Sequence, residues 1–453
     1  MPVLSEQRVS TVESTLLSPT SNMFAELLAR RLERRGIHYA WIVAALGFLV
    51  MLTTAAALGL PGALLVPLSN EHGWNTDRIS TVLAIRFALF GLMAPFAAML
   101  IDRYGVRRIV FTALALIAGG MGFGMVATTL WQLFIAWGLM LGAGSGMTAL
   151  VLGAVIANRW FSQRRGLVIG ILTASAATGQ LAFLPLAAWL IEHVSWRTAV
   201  LPVLLACALL ALLVAALMRN RPSDLGLLPF GEAPSTSVAA APAAPMRWSG
   251  PFLVLREAIR DRTFWVLAGT FFICGLSTNG LIQTHFIALC GDFGMAPVPA
   301  ASALAMMGAF DFVGTILSGW LSDRYDNRKL LFWYYALRGL SLFWLPHSTF
   351  TLVGLSVFAM FYGLDWIATV PPTVKLAGSA FGKERAAMVF GWVFAAHQVG
   401  AAVAAYGAGM TRTLLLTYTP ALYAAGAMCL VAAAMAMLAR GPRPAVVPAA
   451  AQA

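Results

Sequence analysis

The sequence predicts an all-α membrane protein: twelve transmembrane helices in two pseudo-symmetric six-helix halves, with both termini cytoplasmic. Three observations lead there. Hydrophobic residues make up 60% of the 453 positions and charged residues only 11%, with a mean hydropathy of +0.80, far outside the soluble range. Apolar runs long enough to cross a hydrocarbon core of roughly 30 Å as helices recur along nearly the whole chain. A charged heptad in the first half, DRYGVRR at 102–108, returns in the second as DRYDNRK at 323–329.

Taken in order, the apolar runs fall at about 40–67, 79–100, 108–127, 131–157, 166–190, 198–218, 264–289, 299–321, 330–346, 350–373, 386–410 and 415–438. The expected organisation is a cytoplasmic N-terminal tail over 1–38, a first six-helix half over 39–218 and a cytoplasmic linker over 219–262. A second half over 263–439 and a C-terminal tail over 440–453 complete it. The first 38 residues lack the charged-then-apolar pattern of a cleavable signal, so the first run directs its own insertion. Within the linker, APSTSVAAAPAAP (233–245) is rich in Pro and Ala, and RWSGPFLVLREAIRDR (247–262) reads as an amphipathic surface helix. Cys207, Cys274, Cys290 and Cys429 all lie in predicted spans without CxxC spacing, which makes them packing residues and not a disulfide or metal set.

A formal net charge of +12 invites a nucleic-acid reading, but its distribution removes it. Of the 30 Lys and Arg, Arg78, Arg197 and Arg412 fall in external loops and Arg86 and Arg338 within spans; the rest fall in cytoplasmic segments. That asymmetry is the orienting rule of membrane insertion. No HExxH, DxDxG or phosphate-cradling loop is present, so the chain reads as neither an enzyme nor a cofactor or metal protein.

The repeat holds a constant offset of 221 residues. Asp102 aligns with Asp323, Arg103 with Arg324, Arg107 with Arg328 and Arg108 with Lys329. The same offset sets FSQRRGLVIG (161–170) on GKERAAMVFG (382–391), Arg164 on Arg385 and Gly142 on Gly363. Topology alone needs arginines but not the paired Asp102 and Asp323. Charge-assisted contacts to helix ends account for an acid there.

Ionisable groups inside spans are costly and therefore candidates for function. Asp311 lies in the middle of the eighth run (GAFDFVGTILSG), with Thr315 and Ser318 on its face. His397 stands at similar depth in the eleventh run, with Gln398 beside it. Arg86 in the second run and His285 near the outer end of the seventh lie in the external half. Asn279 and Gln283 make a polar face on the seventh run, and Gln180 stands alone in the fifth. Arg338 and Asp365, at matching depth in the ninth and tenth runs, are expected to form a structural ion pair, because an unpaired charge there is prohibitive. A carboxyl that gives up its charge on desolvation suits a proton carrier, the role expected of Asp311. His397 is a second candidate for proton movement or else a satisfied interior histidine.

DRYGVRR and its repeat resemble the helix 2–3 loop motif of the major facilitator superfamily; Gly319 matches the motif's leading glycine, which the first copy replaces with Ala98. The resemblance implies parallel halves around a midplane site, one rocking against the other. It also implies that the loop charges latch helix ends on the cytoplasmic side: Asp102, Arg103, Arg107, Arg108, Asp323, Arg324, Arg328 and Lys329, with Arg164 and Arg165 of the 4–5 loop. NRWFSQRRGLVIGILTASAATG (158–179) is similar to the helix 4–5 signature of monocarboxylate transporters and their bacterial relatives, at Phe161, Arg164, Arg165, Leu167, Gly170 and Gly179. In that family helix 8 carries an aspartate and, four residues on, an arginine that grips the carboxylate. Asp311 matches the aspartate, but Thr315 occupies the arginine's place, and residues 40–67 hold no Lys or Arg to match the helix 1 lysine of the animal members. Arg86 is left as a replacement anion grip from another helix, or else as a snorkelling cation, in which case the substrate is neutral or held mainly by apolar contacts.

Trp366, Phe394, Phe286 and Tyr362 are expected to give the cavity an aromatic lining. Together these features imply a secondary active transporter of the inner membrane that moves a small organic anion with protons, its other partner being membrane lipid. Proton-coupled efflux of a hydrophobic compound is the alternative, and a non-transporting sensor a lesser one.

Overall fold

The computed structural model describes residues 19–148, 151–232 and 249–439; the Pro/Ala-rich segment 233–245, the first eighteen residues and the tail 440–453 lie outside the described residues. Long helices follow one another along the chain. They are α1 Ala40–Ala63, α2 Thr76–Tyr104, α3 Val106–Val126, α4 Leu130–Trp160, α5 Arg165–His193 and α6 Trp196–Leu217. After the linker come α7 Arg262–Asp292, α8 Pro297–Ser322, α9 Asn327–Trp344, α10 Leu352–Phe381, α11 Lys383–Leu415 and α12 Thr419–Ala436. Among the described residues ten of these, all but α5 and α9, are long and apolar enough to cross a membrane. Helix α9 has 18 residues, of which Arg328, Lys329 and Arg338 are charged.

Local sequence sets several helix starts. The side chains of Ser195, Asp261 and Thr351 accept hydrogen bonds from the first-turn amides of α6, α7 and α10. Asp326, one of the charges of DRYDNRK, does the same for α9 and also takes the Arg328 guanidinium at 2.7 Å. That hydrogen bond holds its carboxyl below the usual carboxylate range. A helix over Pro19–Glu33 stands inside the expected N-terminal tail, and its Ala25, Leu28 and Leu32 pack on the first half's core. The expected surface helix of the linker is present as Gly250–Ala258.

Apolar packing divides into two large clusters. One runs from Ala25 to Met218; the other from Ala258 to Ala439, joined by Ala63, Leu184 and Ala188 of the first half. Small residues set how closely the helices approach. A β-carbon on Gly142 of α4 would stand 2.9 Å from the Arg86 carbonyl of α2, and one on Gly363 of α10 would stand 2.4 Å from the Met307 carbonyl of α8. Gly363 and Met307 follow Gly142 and Arg86 by the 221-residue offset of the charged motifs. Helices α7 and α11 are interlocked the same way: Gly275 faces the His397 carbonyl and Gly400 the Phe272 carbonyl.

Between the halves, α2 packs along α11. Phe90 meets Phe394 with ring centroids 5.5 Å apart, and Phe96 meets Trp392 at 6.1 Å. At the end away from the charged loops, Thr413 donates to the Asp77 carboxylate at 3.1 Å, and Gly62 of α1 lies against the backbone of Gln283 and Thr284 in α7.

Helices α7 and α10 are irregular beside the central cavity, and α4 is π-helical over Phe134–Leu141. Helix α7 is π-helical over Leu276–Gln283, a distortion that turns extra backbone and side chains toward one face. Helix α10 opens between Asp365 and Val370. Pro371 and Pro372 supply no N–H to the carbonyls one turn earlier, at Ile367 and Ala368. The sequence reading carried this run through as one uninterrupted helix.

Replacing Gly400 by Val forces a side chain to within 1.9 Å of the Phe272 carbonyl, an overpacking expected to lower stability by about 1–3 kcal/mol. Gly407→Val in the same helix meets nothing within 4 Å and serves as the control in detergent melting.

Candidate functional site

Helices α1, α2, α4, α7, α8, α10 and α11 surround a central cavity of about 170 Å³. Phe90, Phe271, Trp366 and Phe394 form its aromatic wall. Its polar wall comes from the π-helical turn of α7 (Thr278, Asn279, Gln283), from Asp311 of α8 and from His397 and Gln398 of α11. The hydroxyls of Thr54 and Thr148, 3.1 Å apart, add a polar spot contributed by the first half.

Asp311 is placed by the break in α10. Its Oδ1 accepts the Ile367 N–H at 2.9 Å and the Thr315 hydroxyl at 3.0 Å. Among the described residues its Oδ2 accepts nothing. Thr315, standing where an arginine was expected by resemblance, therefore supports the aspartate and offers no cation. Ser318, a turn further on, donates to the freed Ala368 carbonyl at 2.5 Å.

Arg338 of α9 closes the rest of the break. It donates from Nε to Asp365 Oδ2 at 2.5 Å and from Nη2 to the Asp365 and Trp366 carbonyls at 2.6 and 3.3 Å. Its Nη1 points at Cys274 Sγ, 3.0 Å away, on the cavity wall. The guanidinium is 1% exposed and stands one layer behind the wall, not in it. Asp365 Oδ1 is buried without a partner.

His397 lies between Phe271 and Phe394, with ring centroids 4.9 and 5.7 Å away. Of the sequence candidates, Asp311, His397, Asn279 and Gln283 thus share one cavity. Arg86 and His285 are not in its wall. Arg86 turns to α1, donating from Nη1 to the Leu58 carbonyl at 2.9 Å and stacking 4.4 Å over Phe87. His285, expected near the outer surface, is 1% exposed, because α11 covers it and the Ala405 carbonyl meets its Nε2 at 2.8 Å. The side chains of Gln180 and Arg165 lie outside the described residues. Two of the four expected aromatic liners also belong elsewhere: Tyr362 donates to the Ser277 carbonyl behind α7, and Phe286 stacks on Phe358 in the second half's core.

The sequence profile of the Major Facilitator Superfamily matches residues 43–405, and again 291–453. The chain belongs to this superfamily. Its relatives include monocarboxylate transporter 13 of Bos taurus, 28% identical over 405 residues, which span 89% of this chain and 90% of that protein. The uncharacterized MFS-type transporter YcxA of Bacillus subtilis (strain 168) is 24% identical, over 80% of this chain and 87% of its own. In fold the chain is similar to a bacterial homolog of the human lysosomal transporter Spinster in an inward-facing, unoccupied conformation. The TM-score is 0.67 at 16% identity, covering 88% of this chain and 97% of that one. The superfamily is one of multi-pass membrane transporters, not enzymes.

In this superfamily member the repeated loops bind within their own halves. Asp102 at the end of α2 pairs with Arg159 at the end of α4, and Asp323 after α8 pairs with Lys375 of α10. The Lys375 hydrogen bond keeps the Asp323 carboxyl below its usual range. Arg107 reaches back to the Ala215 carbonyl, and Arg324 lies 4.1 Å over the Trp320 ring. Arg103 lies 5.7 Å from the Tyr104 ring, while Arg108 and Lys329 are exposed. Arg164 opens α5 with φ +61°, a left-handed backbone unusual outside glycine. At the opposite end Arg197 grips Glu71, whose carboxyl falls to about 2 through the hydrogen bonds from Arg197 and Trp196.

Sequence reasoning missed Thr54, Thr148, Phe271 and Cys274 as cavity residues. Each is an ordinary small or apolar residue within a long apolar run, and nothing one-dimensional sets it apart.

Arg338→Leu leaves Asp365 buried without its cation and is expected to lower stability by about 3–5 kcal/mol. The double variant R338L/D365L recovers part of that loss, since the Asp365 and Trp366 carbonyls still lack the Arg338 donor, as read by thermal unfolding in detergent.

Proposed function

We infer that this transporter couples the movement of a small organic acid to protons, by alternating access of two six-helix halves across a bacterial inner membrane. The observation that carries the reading is Asp311, 2% exposed, lining the cavity and held by the one stretch of α10 whose backbone is open. A carboxylate oxygen with no bound partner at that point is a proton acceptor that senses each rearrangement of α8 against α10. The relatives named monocarboxylate transporters support the substrate class.

Twelve spans, with α5 and α9 crossing beside the ten apolar helices, put both termini on the cytoplasmic side under the positive-charge rule. The halves divide at the linker over 219–262. Asp102 and Asp323, each tied to the fourth helix of its half, act as the cytoplasmic gate posts.

An apolar, aromatic cavity whose described lining residues include no Lys or Arg supports efflux of a hydrophobic compound as the second reading.

Uptake of lactate, pyruvate and phenylacetate into proteoliposomes, with and without an inward proton gradient, separates the two. Gradient-stimulated uptake of an acid, reduced at least about ten-fold by Asp311→Asn, is the expected result. Movement of a lipophilic cation with no acid moved would select efflux.

A further inference from the structure

We propose that the cavity binds its acid in the undissociated, uncharged form, with the Gln398 carboxamide receiving the COOH group; this rests on the organic-acid reading above. Three observations carry it.

No fixed cation meets the cargo. Asp311, His397 and Cys274 are the titratable groups of the described wall, and no Lys or Arg is among its residues. Of the two buried cations nearby, Arg338 is neutralised by Asp365 and held by the α10 carbonyls, while Arg86, whose Nη1 donates to the Leu58 carbonyl and whose Nε is buried without a partner, is not among the lining residues. The α5 side chains at 173, 174, 176–178 and 180–182, which lie outside the described residues, include no Lys or Arg in the sequence. A carboxylate moved here from water would lose its hydration with no countercharge, beside a wall of Phe90, Phe271, Trp366 and Phe394.

A receptor for the neutral form is present. Gln398 is 1% exposed, lines the cavity, and its Oε1 is buried without a hydrogen-bond partner. Its stem is fixed against α2, where Gly91 leaves no room for a β-carbon. A carboxamide complements an undissociated carboxyl: its oxygen accepts the O–H while its N–H donates to the C=O. A carboxylate has no proton to give that oxygen and meets it with like charge.

The aromatic wall suits an apolar or aromatic acid body. One proton accompanies each carboxylate, so the loaded form carries no net charge, and Asp311 is free to hand that proton over or take it back.

The test uses the full chain in detergent, reading cargo binding by quenching of tryptophan fluorescence, with phenylacetate, phenylacetamide and phenylmethanesulfonate as probes. Between about pH 5 and about pH 8 apparent affinity for phenylacetate should fall about ten-fold per unit once the undissociated fraction declines. Phenylacetamide, neutral throughout, should bind with little pH dependence and displace the acid; the sulfonate, always an anion, should do neither. Gln398→Leu, which keeps the Cβ and Cγ packed on Gly91, should weaken both binders at least about ten-fold.

Affinity for phenylacetate that is flat with pH, or displacement by the sulfonate equal to that by phenylacetate, overturns the inference while leaving acid transport standing. An amide affinity that falls with pH as steeply as the acid's also overturns it, assigning the pH dependence to Asp311 or His397. Failure of phenylacetate to bind at any pH, together with no uptake of lactate, pyruvate or phenylacetate into proteoliposomes, overturns the organic-acid reading itself.

Discussion

Backbone that leaves helical geometry at membrane depth must find its hydrogen bonds within the protein, because hydrocarbon offers none. In this transporter that requirement falls on the opening of α10 between Asp365 and Val370, and three side chains meet it. Asp311 takes the Ile367 N–H, Ser318 gives to Ala368, and Arg338 gives to Asp365 and Trp366. Helices α8, α9 and α10 are thereby tied together at the cavity wall. Any shift of one helix against another changes the partners of Asp311, so the candidate coupling residue and the weak point of the backbone are one feature.

The buried charges of α8, α9 and α10 then separate into two kinds. Arg338 and Asp365 satisfy each other and the opened carbonyls, one layer behind the cavity. Asp311 stands in the wall with neutral donors on one oxygen only. The cavity is therefore lined by a carboxyl, an imidazole, amides and hydroxyls against aromatic rings, without a cation among its described lining residues. In a low-dielectric site that composition favours hydrogen-bonded neutral groups over a bare anion, since like hydration is not replaced. Close glycine contacts between α7 and α11 and between α8 and α10 make the surrounding wall stiff, so the cavity changes shape by movement of whole helices more readily than by side-chain give.

Much of this was legible in one dimension. Among the described residues, hydropathy and run length located the ten helices apolar enough to span, because a span must be apolar over a set length whatever its neighbours. Charge asymmetry and the DRYGVRR–DRYDNRK repeat pointed to paired halves, and the 221-residue offset recurs in the contacts of Gly142 and Gly363. Arg338 and Asp365 were matched by depth alone, since isolated charge at that depth is untenable. Asp311 stood out for the same reason.

What only tertiary structure decided was the direction each residue faces. Arg86 and Asp311 are alike in sequence, single ionisable groups in apolar runs, yet one turns to the Leu58 carbonyl and the other lines the cavity. Tyr362 and Trp366, one turn apart in α10, likewise divide between core and cavity. A helix apolar on nearly every face has no polar stripe to orient it. Its rotation is set by which neighbours pack against its small residues, and by where a proline pair leaves carbonyls that a facing helix must satisfy. The sequence determined which residues enter the membrane and which charges must be answered there; the packing of α7, α8, α10 and α11 decided which of them line the cavity.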